Sequence, residues 1–358
     1  MTIDRLRVLV LADSRAFHTA RYVAELRRQN CRVLLASLED GQLLHHQLRP
    51  RGFIKSWRYA LAATEVRTLI RRFQPHVVNP HYVSGYGFTA ALAQARRFAP
   101  VLTHLWGSDV LIVPHKSIFH RRKTMFALHQ SDFVTGDSEY IMQEAQKLAP
   151  LERVRMIPWG IEERHLQHHR TEYALQTPLR IIVPRNHEKV YNNEFIVRAL
   201  APLIVDGRVV VTFPAFGSMA GHFRLIAKSL VGNRLNYYER LSRAEFMRFM
   251  AQHDCYLSAA ISDSSPVSLI EAKALGLIPI AADIPGVREW LEPESGYRYE
   301  LYNGEQLLQI VTRLVETSDP HVKMRQRNLE RVKREALFEQ NVADMIGIMR
   351  TLVEERKQ

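Results

Sequence analysis

Only two cysteines, Cys31 and Cys255, occur in 358 residues, which supports neither a disulfide framework nor a cysteine-based metal site. Each stands at the edge of an apolar run, as a buried thiol does. No apolar run approaches the roughly 18 residues that cross a bilayer; the longer ones, such as VLVLA at 8–12, have the length of a strand. The opening MTIDRLRVLVLADSR lacks a small-residue cleavage site behind its one apolar run, so the expectation is a cytoplasmic protein rather than a secreted one. No short-period repeat is visible. With 46% hydrophobic and 24% charged residues, the composition leaves no place for extended disorder.

Negative charge is also scarce. Against 49 Lys plus Arg there are 37 Asp plus Glu, a formal charge of +12. Residues 1–172 hold 25 basic and 15 acidic residues, so +10 of that charge sits in the first half, together with 12 of the 16 histidines. Such a half favours an anionic partner: a membrane surface, a phosphorylated lipid or sugar, or nucleic acid. A merely basic, soluble surface is the alternative.

The length suits two domains. Strand-sized apolar runs alternate with amphipathic stretches of helical length: RVLVLA at 7–12, RVLLAS at 32–37, a helical LAATEVRTLIRRF at 61–73, HVVN at 76–79, FTAALAQARRF at 88–98, VLTHL at 101–105 and DFVTG at 132–136. This β/α alternation predicts parallel sheets with crossover helices. It breaks at 162–178, EERHLQHHRTEYALQTP, which is polar, follows neither period and reads as a linker. It restarts with LRIIVP at 179–184 and continues through RVVVTF at 208–213, RLNYY at 234–238, DCYLS at 254–258 and IPIAA at 278–282, with helices expected from there to the end.

Residues 263–276, an aspartate followed by SSPVSLIEAKALG, carry the clearest chemistry. Ser265 followed by Pro266 predicts a helix start, the Ser as cap and the Pro in the first turn. The leading amides of Val267, Ser268 and Leu269 then form an anion pocket beside Asp263. Glu271 lies in the second turn, on the order of 8 Å along the axis at ~1.5 Å per residue, the scale of a sugar diphosphate. A helix-start acid and a solvated glutamate are the plain structural alternative.

The longer stretch at 263–290, Asp263 followed by SSPVSLIEAKALGLIPIAADIPGVREW, resembles the signature of family-4 retaining glycosyltransferases of the GT-B fold, through Asp263, Glu271, Gly276, Pro279, Gly286 and Glu289. The resemblance implies two Rossmann-like, doubly wound α/β domains facing across a cleft. It implies that Glu271 binds the ribose of a nucleotide sugar, while Asp263, Ser265 and the amides of Val267 and Ser268 hold the transferred sugar and its diphosphate. Asp263 stands where relatives carry Glu, and Ser265-Pro266 where they carry Phe-Gly, which bears on the sugar accepted. LRIIVPRNHEK resembles the first strand of the donor domain and implies that Arg185 and Lys189 neutralise the leaving diphosphate. VLTHLWGSDVL implies a sugar contact for His104, with Asp109, in the polar loop after it, as a candidate on the acceptor side. ADSRAFHTARY stands where relatives carry a Gly-rich turn but has no Gly, leaving Ser14, Arg15 and His18 as side-chain candidates on the acceptor side. YYERLSRAEF implies base contacts from Tyr238 and Leu241.

The expectation is a metal-independent, retaining glycosyltransferase with no cofactor beyond its nucleotide-sugar donor, acting in cell-surface polysaccharide or glycolipid synthesis. Residues 1–172, with a returning helix at 338–358, would receive a saccharide or lipid-linked acceptor and meet an anionic membrane surface at its inner face; residues 173–337 would bind donor. Three rival readings stay open. One is a sugar-nucleotide epimerase of the same architecture. Another is a nicotinamide-dependent dehydrogenase, suggested by the spacing in SGYGFTAALA at 84–93. The last is a basic nucleic-acid-binding protein, for which no stacking, zinc or helix-turn-helix motif is visible.

Overall fold

A computed structural model describes residues 5–50, 55–317 and 319–357. The chain forms two compact units, one of residues 1–159 with 339–358, the other of residues 160–338.

Among the described residues, the first unit has seven parallel strands: β1 (Arg7–Leu11), β2 (Arg32–Ser37), β3 (His46–Gln47), β4 (Val77–Pro80), β5 (Leu102–Leu105), β6 (Phe133–Gly136) and β7 (Val154–Met156). Their spatial order is β3-β2-β1-β4, then β5-β6-β7, the two sets joined by bridges from Val78 to Val101 and from His81 to His104. The central strand β1 is apolar after Arg7 because helices cover both faces; Val8, Leu9, Val10 and Leu11 are wholly buried. The returning helix Phe338–Glu355 lays Val342, Met345, Met349 and Leu352 into this unit. Asn341 donates to the Pro158 carbonyl at 2.7 Å, and Arg155 pairs with Asp344 at 2.6 Å. The apolar face carries most of that docking energy, since an exposed ion pair contributes only about 0–1 kcal/mol.

Among the described residues, the second unit has six parallel strands: β8 (Leu179–Ile182), β9 (Val209–Pro214), β10 (Asn236–Tyr238), β11 (Cys255–Ser258), β12 (Ile278–Ala282) and β13 (Tyr297–Tyr299), in the order β10-β9-β8-β11-β12-β13. Strand order therefore reverses at β1/β4 in one unit and at β8/β11 in the other. In an open parallel sheet that switch point, at the carboxyl ends of the strands, is where loops part and ligands bind.

Several expectations need correction. Residues 162–178 are part of the second unit. They pack through polar contacts that leave no apolar period: His169 Nδ1 bonds the Ala274 carbonyl at 2.7 Å, and Arg170 donates to the His253 carbonyl at 2.6 Å and to Asp254 at 3.1 Å. The chain changes unit at 159/160 rather than 172/173, where Gly160 takes φ +58° and a side chain would strike the Ala336 carbonyl. Edge strands β3 and β13, two and three residues long, were not expected. The helix read at 88–98 is interrupted: a wide turn at Tyr82–Gly87 leads into Phe88–Leu92, and Gln94 at φ +55° ends it. Gly85 and Gly87 lie against the Tyr59 and Val83 side chains, so SGYGF is packed and does not offer the open phosphate turn a dinucleotide requires.

Candidate active site

Arg185 leaves the end of β8 and Asp263 the loop after β11, so the switch point of the second sheet brings them together. They form an ion pair. The Arg185 guanidinium also lies 5.0 Å from the Tyr191 ring centroid. Burial weakens its hold on the proton, but Asp263 with Tyr256 and Tyr191 outweighs that and raises its pKa. Its Nε is buried without a hydrogen-bond partner among the described residues.

The helix that follows is Val267–Leu275, one residue later than predicted. Pro266, extended at ψ 98°, takes the cap position, and no side chain caps the helix. Ser265 precedes the proline, a place biased toward extended backbone, which sets its hydroxyl one residue too early to cap. That Ser265 Oγ is buried and unpartnered among the described residues. Leu269 N–H is bonded to the Pro266 carbonyl and so is not free. The amides of Val267 and Ser268 remain the leading donors of the terminus. Gly286 explains part of the motif: a side chain there would collide with the carbonyls of Ser264 and Asp263, so the glycine lets the next turn lie flat on the acidic loop.

Glu271 is 3% exposed and is met by Arg243 Nη2 at 2.5 Å, with Glu162 a further 3.7 Å contact of the same guanidinium. Arg243 was not anticipated. It opens the helix Arg243–Met250, whose Ser242 and Glu245 form a capping box, and in the sequence it reads as a first-turn surface residue. Tyr238 is buried against Phe216, Phe246 and Phe249, with ring centroids 5.4–6.0 Å away, whereas Leu241 is 40% exposed. Lys189 is exposed on a short turn and makes no ion pair with a described residue.

At the switch point of the first sheet, His104 on β5 is wholly buried. Its Nδ1 bonds Thr135 Oγ1 at 2.9 Å, its Nε2 has no partner among the described residues, and burial pushes its pKa down to about 3. Beside it lies an unanticipated cluster. Trp106 Nε1–H can only donate, and it reaches His81 Nδ1 at 3.2 Å; His81 therefore carries its proton on Nε2, which donates to Asn79 Oδ1 at 3.1 Å. Tyr22 donates to the same Asn79 oxygen at 2.8 Å. Burial, then neighbouring His104, holds His81 neutral with a pKa well below the usual value. His18 stacks on Trp159 at 5.1 Å and meets Trp106 edge-on.

Asp109 faces inward and accepts from Val83 N–H at 2.7 Å and Trp106 N–H at 3.0 Å, tying the loop after β4 to the loop after β5. Burial raises its pKa to about 6 against these backbone donors. Its carboxylate is thus a positioning group, and not one available to an acceptor. Ser14 is likewise consumed: its hydroxyl donates to the Glu39 carbonyl at 2.5 Å. Arg15 is exposed, but Asp13 at 3.0 Å and Glu39 at 3.4 Å already meet its charge. Asp13, His81, Tyr82, Trp106, Lys116 and Lys123 are among the walls of a cavity of about 410 Å³ at this switch point.

A glycosyl transferase 4-like model matches residues 7–138, and a glycosyl transferases group 1 model matches residues 219–331. No curated protein matches the chain. A glycosyltransferase from Rickettsia africae superposes with TM-score 0.81 at 15% identity, covering 98% of this chain and 99% of its own. Sucrose-phosphate synthase from Thermosynechococcus elongatus gives 0.82 at 13%, covering 98% and 100%. Anabaena HepE in complex with UDP-glucose gives 0.76 at 15%, covering 96% and 99%. With these two matched segments and this fold, the chain is a GT-B glycosyltransferase of the family-4 type.

Proposed function

We propose that the protein transfers a sugar from a nucleotide donor to an acceptor hydroxyl with retention of anomeric configuration, in the synthesis of a cell-surface polysaccharide or glycolipid. The observation that carries this is the set at the β8/β11 switch point. There, Arg185 with an unpartnered Nε, the buried unpartnered Ser265 Oγ and the amides that open Val267–Leu275 offer a guanidinium, a hydroxyl and backbone N–H groups to one anion. Buried polar groups without partners are rare and costly, and a diphosphate would satisfy them together. HepE, a structural neighbour, binds UDP-glucose, which supports a nucleotide sugar as that anion's source.

In this reading Glu271, steadied by Arg243, accepts from ribose hydroxyls, and Asp263 accepts from hydroxyls of the transferred sugar. As the bond from the anomeric carbon to phosphate breaks, the electron pair leaves on the phosphate oxygen. Arg185 and the helix terminus stabilise that growing charge, with exposed Lys189 as a second cation. The acceptor oxygen bonds to the anomeric carbon on the face being vacated, and its proton leaves with the nucleoside diphosphate. Fixed protein cations and amides meet the leaving-group charge, so no divalent ion is required. Neutral His104 offers Nε2 to a sugar hydroxyl. Tyr238 lies too deep in its aromatic cluster to face a base, which leaves exposed Leu241 as the nearer contact.

The basic first unit would receive the acceptor and approach an anionic membrane surface. No helix among the described residues is long and apolar enough to cross a membrane. The test is a set of nucleotide sugars incubated with saccharide acceptors and followed by proton NMR. Product with the donor's own anomeric configuration supports the reading. An inverted product, or interconversion of the nucleotide sugar without acceptor, contradicts it.

A further inference from the structure

Lys123, on the helix Ile118–His129, is 7% exposed and has no acidic partner among the described residues. Its ammonium lies 5.4 Å from the Phe88 ring centroid and makes no hydrogen bond or ion pair with a described residue. Burial alone accounts for its lowered pKa. A buried ammonium is costly unless a charge of opposite sign meets it. Lys123 lines the 410 Å³ cavity at the first switch point together with Lys116 and His120. Lys116 is exposed, and His120 is oriented by Ser117 Oγ at 2.8 Å.

The remaining walls differ in kind. Trp106 is fixed by its bond to His81, and Tyr82 by a 3.1 Å contact with Ser108 Oγ. Tyr82 also holds a left-handed φ of +71°, an unfavourable conformation for a large residue that its packing sustains. Asp13 is the one carboxylate among the described lining residues, and Arg15 already meets its charge. The cavity thus joins rigid aromatic walls to a cluster of basic groups that no described acid neutralises, and its size suits a small ligand.

We propose that this cavity is an acceptor subsite selecting a saccharide with an anionic substituent, held by Lys123, Lys116 and His120, with its ring against Tyr82 and Trp106. The proposal rests on the transferase reading above and adds the acceptor's chemical class to it. A carboxylate and a phosphate satisfy the same groups.

Calorimetric titration of the full chain with glucose, glucuronate and glucose 6-phosphate tests it. One or both anionic sugars should bind about tenfold or more tightly than glucose, the scale of one charge-assisted hydrogen bond. Preference for glucuronate would identify a uronate acceptor, and preference for glucose 6-phosphate a phosphorylated one. Lys123→Met should remove the preference; exposed Lys116→Ala, which does not disturb packing, should reduce it if the first variant fails to fold. Equal binding of all three sugars, or a preference retained in both variants, overturns the proposal. UDP, GDP and ADP titrated in parallel separate the two failures: intact nucleotide binding without anion preference sinks this inference alone, whereas binding of none of the three sinks the donor reading.

Discussion

Arg243 meets Glu271 at 2.5 Å although 28 residues separate them, and the two side chains are only 18% and 4% exposed. The pair joins the first turn of one helix to the second turn of another and fixes the orientation of the carboxylate. Two roles are therefore superimposed, one in stability and one in ligand binding, and they can be separated by substitution. Removing one partner leaves a buried charge: Arg243→Met should cost about 3–5 kcal/mol in urea unfolding. The double variant Arg243→Met/Glu271→Leu should recover most of that stability and still bind no nucleotide. If the double variant binds nucleotide as well as the native protein, Glu271 has no donor role.

Arg185→Met should lower turnover by roughly 10²–10³, the scale of losing one preorganised donor to developing charge, with a smaller loss of nucleotide affinity. Steady-state kinetics alongside direct binding gives the comparison. A fall in affinity alone would place Arg185 in ground-state binding only.

Gly286→Ala should disturb the acidic loop without touching any charged group, because its new methyl meets the carbonyls of Asp263 and Ser264. The loop has to shift, which moves Asp263 from its place beside Arg185. We expect a loss of activity larger than the loss of stability, read from turnover and thermal unfolding of the same sample.

Stability should fall on acidification partly through His104. Its pKa is about 3 folded against 6.5 for the free side chain, so the unfolded chain binds the proton more tightly. Its contribution is fully present above pH 6.5 and is lost as pH falls toward 3, at about 1.4 kcal/mol per pH unit within that window. Asp109 has the opposite sign: with a pKa of about 6 folded against 3.8, its contribution is full below 3.8 and lost as pH rises through 6. His104→Asn should therefore lose less stability than the native protein between pH 7 and about 4.5, measured by urea midpoints. Parallel curves would contradict the buried neutral imidazole.

Fold class was legible because both sheets are parallel and covered on both faces, so a central strand such as β1 appears as an apolar run between amphipathic stretches. The short edge strands β3 and β13 carry no such run. The motif at 263–289 marked one half of the site through local spacing: Asp263, Glu271 and Gly286 lie close together in the chain. The other half is tertiary. Arg243 looks like a helix-start residue until its partner is known, and His81, Asn79 and Tyr22 become a network only when β4 and the helix Phe17–Arg28 are assembled. Asp109 and Ser14 lie in loops at the first sheet, but a sequence does not reveal that backbone groups use up their oxygens. Residues 162–178 misled for a related reason, since a segment held by carbonyl contacts from His169 and Arg170 has the polarity of a linker.

The most direct measurement is calorimetric titration of nucleoside diphosphates, UDP, GDP and ADP in turn, into the native protein and into Glu271→Gln and Arg185→Met. At least one of them should bind the native chain saturably and one-to-one, with affinity reduced about tenfold or more in Glu271→Gln, as expected for loss of a hydrogen bond to a charged group. Binding of none of the three, or binding unchanged in both variants, would contradict a donor site at the β8/β11 switch point.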